Sequence, residues 1–304
     1  MSSYLELTAR QRIPAIFDPG SFEEFLPPSS RIASPHLAQL DAPVSFDDGV
    51  VVGRARLGGH LVFGAAQEGG FMGGAVGEVH GAKLVGMLRR AVDERAHAVV
   101  LLLESGGVRL HEANAGLIAV SEVMRAMLDV RAAGIPVIAL VGGANGCFGG
   151  MGIAARCANT VVMSEEGRLA MSGPEVIETA NGVEEFDSRD RALVWRTTGG
   201  KHRYLLGDCQ ALVADDAEAF RAAALEAIAD VQDARLTLDG LLAEQDMLAR
   251  RLHDAQGLTE PMEVWQQLGI PEPARVPMLE ADDFLQLATQ VAAKARAGAS
   301  TGER

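Results

Sequence analysis

The chain has 304 residues, with 41 acidic against 27 basic side chains and a formal charge of −14. A chain of that length buries roughly 75% of its unfolded surface without staples, and its acidic balance argues against nucleic acid or an anionic membrane as the main partner. The three cysteines, Cys147, Cys157 and Cys209, form no CxxC pair, which argues against a zinc ribbon or a disulfide framework. The first residues carry no apolar signal core, and the longest apolar runs are far too short to span a bilayer. A cytoplasmic protein is the expectation.

Residues 1–35 are polar and rich in Pro and Ser, with a turn at Asp18-Pro19-Gly20 and a helix cap expected at Ser21, three residues before Glu24. Val50-Val51-Val52 and Leu61-Val62-Phe63, separated by Gly58-Gly59, predict a hairpin. A glycine-rich loop follows at residues 69–77, then a helix carrying Leu84, Leu88 and Ala91 at helical spacing. Residues 98–103 (AVVLLL) show no alternation, as a parallel strand buried on both faces requires. They run into Glu104-Ser105-Gly106-Gly107-Val108-Arg109. A long helix fits residues 114–133, with Leu117, Val120, Val123, Met124, Met127 and Leu128 on one face and Gly134 after its end.

The pattern then repeats. A strand at 136–141 is followed by a second glycine turn at 142–152, a helix, and a short strand at 160–163. Residues 215–256 and 281–297 read as helical, and residues 298–304 as a frayed tail. Alternating strands and helices with continuous apolar strands predict βαβ units around a mainly parallel sheet.

Both glycine clusters follow a buried strand and precede a helix, where unpaired N–H groups gather. Two convergent N–H groups suit a developing oxyanion; phosphate binding or tight helix–strand packing are the competing readings. Neither turn has the Lys-Ser/Thr pair of a P-loop, and the spacing does not fit a dinucleotide fingerprint.

Residues 104–109 (ESGGVR) resemble the ESGGAR turn of the biotin-type carboxyltransferases. Residues 134–150 are similar to their next strand and glycine turn, 167–174 to the strand after it, 10–25 to their N-terminal segment, and 72–77 with Lys83 to a further block. Five blocks occur in order over residues 8–210. The GEVHGAKL block at 77–84 and the stretch 175–203 resemble, within that group, the β subunits of biotin-independent malonate decarboxylases. The resemblance implies an α/β crotonase-like (ClpP/crotonase) spiral of ββα units of the carboxyltransferase N-domain type over residues 1–255, with a C-terminal helical extension and flexible tail over 256–304. It implies decarboxylation of a malonyl thioester carried on the phosphopantetheine-type arm of an acyl carrier protein, or on coenzyme A. It implies that neither biotin nor a metal is bound directly. The partners it implies are a γ subunit, the acyl carrier protein subunit and an α (acyl transferase) subunit, with no nucleic acid and no membrane.

Carried over from the family, Gly106, Gly107 and Val108 form the catalytic turn, with the Gly107 and Val108 N–H groups as the oxyanion donors. Gly73, Gly74, Gly146, Cys147, Phe148, Gly149 and Gly150 are expected to line the thioester channel. A homologous partner would supply another hole, so the site would lie between subunits. His111 and Glu175 are candidate proton donors or carboxylate contacts; a hydrogen-bonded structural histidine and a helix cap are the alternatives. His80 lies two residues from Glu78 but lacks further ligands for a metal.

The departures also inform. The first cysteine is Cys147, so the four-cysteine zinc ribbon of bacterial carboxyltransferase β subunits is missing, as is a Met-Lys-Met biotin motif. A hydratase of this fold needs two carboxylates, and Met151-Gly152-Ile153 stands where one would be. A carboxyltransferase subunit of a biotin-dependent acyl-CoA carboxylase and a non-catalytic scaffold remain the alternatives. Residues 189–203 form a basic stretch, read either as a carrier or phosphate contact or as a solvated face.

Overall fold

The computed structural model describes residues 2–301, with side chains described for residues 2–293. Helix α1 (Ala9–Ile16) opens with a capping box: the Thr8 hydroxyl accepts the Gln11 N–H while the Gln11 side chain accepts the Thr8 N–H. Ser21 caps no helix. Its hydroxyl donates to the Asp18 carbonyl (2.7 Å), and the residues that follow form strand β1 (Glu23–Phe25). Edge pairing with the next strand wins over the local cap signal, and Pro27-Pro28 lack the N–H groups a continuing helix would need. After the short helix α2 (Pro35–Gln39) comes the expected hairpin of β2 (Val50–Leu57) and β3 (His60–Gln67). Its turn is Gly58-Gly59, both at positive φ, 58° and 81°.

Each strand after β3 lies parallel to the one before. Helix α3 (Glu78–Asp93) leads to β4 (Ala98–Leu103), α4 (Asn114–Ala132) to β5 (Val137–Val141), and α5 (Gly149–Ala155) to β6 (Thr160–Ser164). Then α6 (Pro174–Asn181), α7 (Arg191–Thr198) and α8 (Gly200–Leu205) lead to β7 (Ala211–Val213). The seven strands of this sheet stand in chain order, so the backbone coils and advances one strand per turn. Single bridges Val76–Val108, Ser105–Cys147 and Cys147–Leu169 add a second, minor strand layer to each repeat. This is the crotonase-like coil of ββα units.

Strand β4 shows why its run is apolar throughout. Val99, Leu101 and Leu103 pack with the buried residues of α3 and α4, while Ala98, Val100 and Leu102 pack with those of α1 and of α9 (Ala217–Asp230). On α4 the buried stripe is Val120, Val123 and Met127, and Gly134 follows the helix at φ 80°. Leu117 and Leu128, expected on that face, are exposed. The helical span expected over 215–256 breaks at 231–237, giving α9 and α10 (Leu238–Asp254).

Helices α11 (Pro261–Gln267) and α12 (Ala281–Thr301) return to the body: Trp265 and Phe284 are buried in the core that contains Leu212. Part of the basic stretch turns inward to hold this segment. Lys201 donates to the Leu279 carbonyl (2.5 Å) and pairs with Glu165 (3.1 Å), and His202 accepts the Trp265 indole N–H (3.0 Å). Residues 298–301, expected as frayed, belong to α12; the rest of that stretch, 302–304, lies outside the described residues. No helix among the described residues is long and apolar enough to cross a membrane.

Candidate active site

Because β3, β4 and β5 are parallel neighbours, the loops leaving their C-terminal ends (residues 68–77, 104–113 and 142–148) meet at one end of the sheet. Their main chains are knitted together. Gly106 N–H donates to the Gly73 carbonyl (2.8 Å), Val76 N–H to Gly107 (2.8 Å) and Arg109 N–H to Val76 (2.9 Å). Across the other side, Ser105 N–H donates to the Gly146 carbonyl (2.8 Å) and Phe148 N–H to Ser105 (2.7 Å).

At the meeting point Gly107 has φ 109°, which strains any L side chain. A Cβ there would lie 3.0 Å from Gly149 Cα and 3.3 Å from Gly150 N, so the two turns touch backbone to backbone. Gly107 N–H is held by the Ser105 hydroxyl (3.1 Å), and Gly149 N–H donates to Met171 (2.9 Å). The N–H groups of Val108 and Gly150 donate to no acceptor among the described residues. Two unpaired donors on two touching turns can stabilise a developing oxyanion without reorganisation.

Buried ion pairs fix these turns. The carboxylate of Glu104, at the end of β4, pairs with the Arg12 guanidinium of α1 and accepts the Asn145 N–H (3.0 Å) of the second turn. Gly69 and Gly143 lie against it so closely that a Cβ on either would collide with the carboxylate. Arg109 makes a second frame, bonding Asp48 (2.9 Å) and Glu112 (2.9 Å), while Glu112 accepts the Glu78 N–H (2.6 Å). Burial raises the Asp48 carboxyl against the opposing pull of Arg109. Glu112 is also pushed up by burial, but the Glu78 N–H and Arg109 outweigh that and hold it low. His80 donates its backbone N–H to Asp48 (2.9 Å), and its ring contacts the Asp48 carbonyl (3.1 Å) and the Gln67 amide (3.1 Å). Burial, aided by the charge of Arg109, lowers its pKa to about 3, so it is neutral. Glu78 bonds His36 (2.8 Å) instead.

The carboxyl transferase domain family matches residues 5–231, which include all seven strands of the sheet and all three loops. The chain belongs to that family. It is 40% identical to a malonyl-S-ACP:biotin-protein carboxyltransferase, MADC, of Malonomonas rubra, over 96% of this chain and 97% of that protein. Its structure is similar to a chain of a Pseudomonas malonate decarboxylase hetero-tetramer in complex with malonate (41% identity, TM-score 0.78, covering 85% of this chain and 93% of that one). An acetyl-coenzyme A carboxylase carboxyl transferase subunit beta of Fusobacterium nucleatum is 31% identical over 58% of this chain and 59% of its own length.

Within this carboxyl transferase framework the structure brings together Gly73, Gly74, Gly106, Gly107, Val108, Gly146, Phe148, Gly149 and Gly150. The bonding within these turns bears on the expected roles. The Gly106 N–H is spent on Gly73 and is no free donor, and the Gly107 N–H is held by Ser105. The Cys147 side chain is in the core, burial pushes its thiol up to about 12, and its N–H and carbonyl bond Arg168 (2.8 Å) and Ala170 (3.2 Å). Gly74 is buried, its Cα side pressed on the Glu104 carbonyl.

His111 is exposed on the turn after Arg109 and makes no hydrogen bond among the described residues. Glu175, exposed in the first turn of α6, lies near Phe148 and close enough to Arg168 to favour its charge. The sequence reading missed Arg12, Asp48, Glu104 and Glu112 as the frame of the site. Nor did it single out the free N–H of Gly150, although its place at the start of the helix after the second turn was the available signal.

Proposed function

We propose that this chain decarboxylates malonyl thioesters as a β-type subunit of a malonate decarboxylase, working in the cytosol. The substrate is malonyl-S-acyl carrier protein, the product acetyl-S-acyl carrier protein, and the partners are a homologous γ subunit, the carrier protein and an α acyl transferase subunit. The observation that carries this reading is the pair of unpaired N–H groups, Val108 and Gly150, on two touching turns. The near full-length similarity to the Malonomonas rubra and Pseudomonas proteins supports the substrate class.

In this reading the bond from C2 to the carboxylate breaks and CO2 leaves. The electron pair moves into the thioester, and the negative charge collects on the carbonyl oxygen. Val108 and Gly150 donate to that oxygen, Ser105 keeps the first turn in shape through Gly107, and Gly73, Gly146, Phe148 and Gly149 flank the thioester. A proton then reaches C2, with exposed His111 and Glu175 as candidate donors, and the acetyl thioester departs. Each oxyanion donor of this kind contributes about 2.7–4 kcal/mol.

Substitution at Val108 tests the reading. Its N–H has no partner to lose, so Val108→Pro removes the donor without breaking a hydrogen bond, whereas Val108→Ala keeps it. In the assembled complex Val108→Pro should lower turnover roughly 100- to 1000-fold and Val108→Ala only several-fold. Full turnover in Val108→Pro would place the oxyanion elsewhere. A second reading, transfer of the carboxyl group to a biotin protein, is favoured by the similarity to the malonyl-S-ACP:biotin-protein carboxyltransferase of Malonomonas rubra. Inhibition of the reaction by avidin would select it.

A further inference from the structure

Helix α10 (Leu238–Asp254) is built inside out. None of its 17 residues is buried, and Leu238, Leu241, Leu242, Leu248 and Leu252 are each at least 50% exposed. Its charged flank faces the body instead: Arg251 pairs with Asp208 (3.1 Å), and Glu244 lies 3.6 Å from Arg156. An amphipathic helix of a lone domain turns its leucines inward. This one begins beyond residue 231, where the match to the carboxyl transferase family ends.

The exposed residues follow a coiled-coil seam. Leu238, Leu241, Gln245, Leu248 and Leu252 are spaced by alternating three and four residues, with one polar residue at the centre. Glu244 and Arg251 share one flanking heptad position, seven residues apart. Two such helices side by side in parallel would set Glu244 against Ala249. Antiparallel, they set Glu244 of each copy against Arg251 of the other, Leu241 against Leu252 and Gln245 against Leu248. Flanking charges choose partner and orientation in such pairs, and Glu244 and Arg251, 51% and 28% exposed, stay open to a second helix while they reach Arg156 and Asp208. A stable dimer needs about 800 Å² from each side, more than one helix face. Leu236, immediately before the helix, extends the patch. So does Leu268 beside its end, where the Gln267 amide donates to the Asp254 carbonyl (2.6 Å).

We propose that α10 pairs antiparallel with α10 of a second copy of this chain. The two-fold contact is isologous and joins two copies away from the glycine turns. It does not depend on the reaction assigned above, because association is read without turnover.

The test is sedimentation equilibrium of the full chain at micromolar concentration, wild type against Leu241→Asp with Leu248→Asp. The wild type should be a dimer and the variant a monomer that still melts cooperatively, since these leucines fill no part of the chain's own core. In a Cys157→Ser background, a chain carrying Leu241→Cys and Leu252→Cys should form a reversible disulfide dimer, and Leu241→Cys alone should not. A monomeric wild type would overturn the proposal. So would a dimer indifferent to the substitutions, or a monomer whose leucine face proves necessary only for binding a different subunit.

Discussion

Replacing Glu104 by Gln keeps its shape and removes its charge. Arg12, 1% exposed, then retains its guanidinium with no carboxylate beside it; its remaining acceptors are the Tyr4 and Leu5 carbonyls at 3.3 and 3.5 Å. Removing one partner of a buried pair costs about 3–5 kcal/mol, because the other charge stays desolvated. With an unfolding entropy near 2.1 cal/mol/K per residue, that lowers the melting temperature of this 304-residue chain by about 5–8 °C. Urea titration at neutral pH measures the loss, and adding Arg12→Met to Glu104→Gln should recover much of it. A Glu104→Gln chain within about 1 kcal/mol of wild type, with no recovery in the double variant, would refute the assignment of this pair as the frame of the two turns.

Acid should destabilise the chain through two histidines. His80 and His202 each fall from 6.5 to about 3 on folding, mainly by burial. Below pH 6.5 the unfolded chain binds protons that the native chain refuses, so their contribution is complete above that pH and is lost as the pH falls toward 3. His202→Gln, which can still accept the Trp265 N–H, should flatten this acid limb by about 1.4 kcal/mol per pH unit in urea titrations between pH 6 and 4; an unchanged slope would show that His202 titrates normally. A disulfide-exchange reagent should react with half-buried Cys157 well before the buried Cys147 and Cys209. Rapid labelling of Cys147 in the native chain would contradict its place in the core.

Much of the fold was legible because its signals are local. The AVVLLL run at 98–103, the Gly58-Gly59 hairpin and Gly134 after α4 each carry their own geometry, and all three appear as expected. Ser21 misled because a cap motif and an edge strand share the same residues, and pairing with β2 decided the outcome. Leu117 of α4 follows helical periodicity and is exposed, since periodicity cannot tell which part of an apolar face finds a partner. The ionic frame was invisible for a different reason. Arg12 and Glu104 are 92 residues apart, and Asp48 and Arg109 are 61 apart, so only the coil of strands brings them together. Likewise, the glycine turns were readable as turns between strand and helix, but which N–H groups stay free was not. That depends on the Gly106–Gly73 and Gly107–Ser105 bonds, which form only in the folded chain.

The most direct test of the proposed activity is CO2 release from malonyl thioesters, on carrier protein and on coenzyme A, by this chain alone and mixed with a homologous partner subunit, with and without avidin. Release that requires the mixture and ignores avidin is the predicted result. Absence of release in every combination, with carboxyl exchange onto added biotin instead, would contradict it.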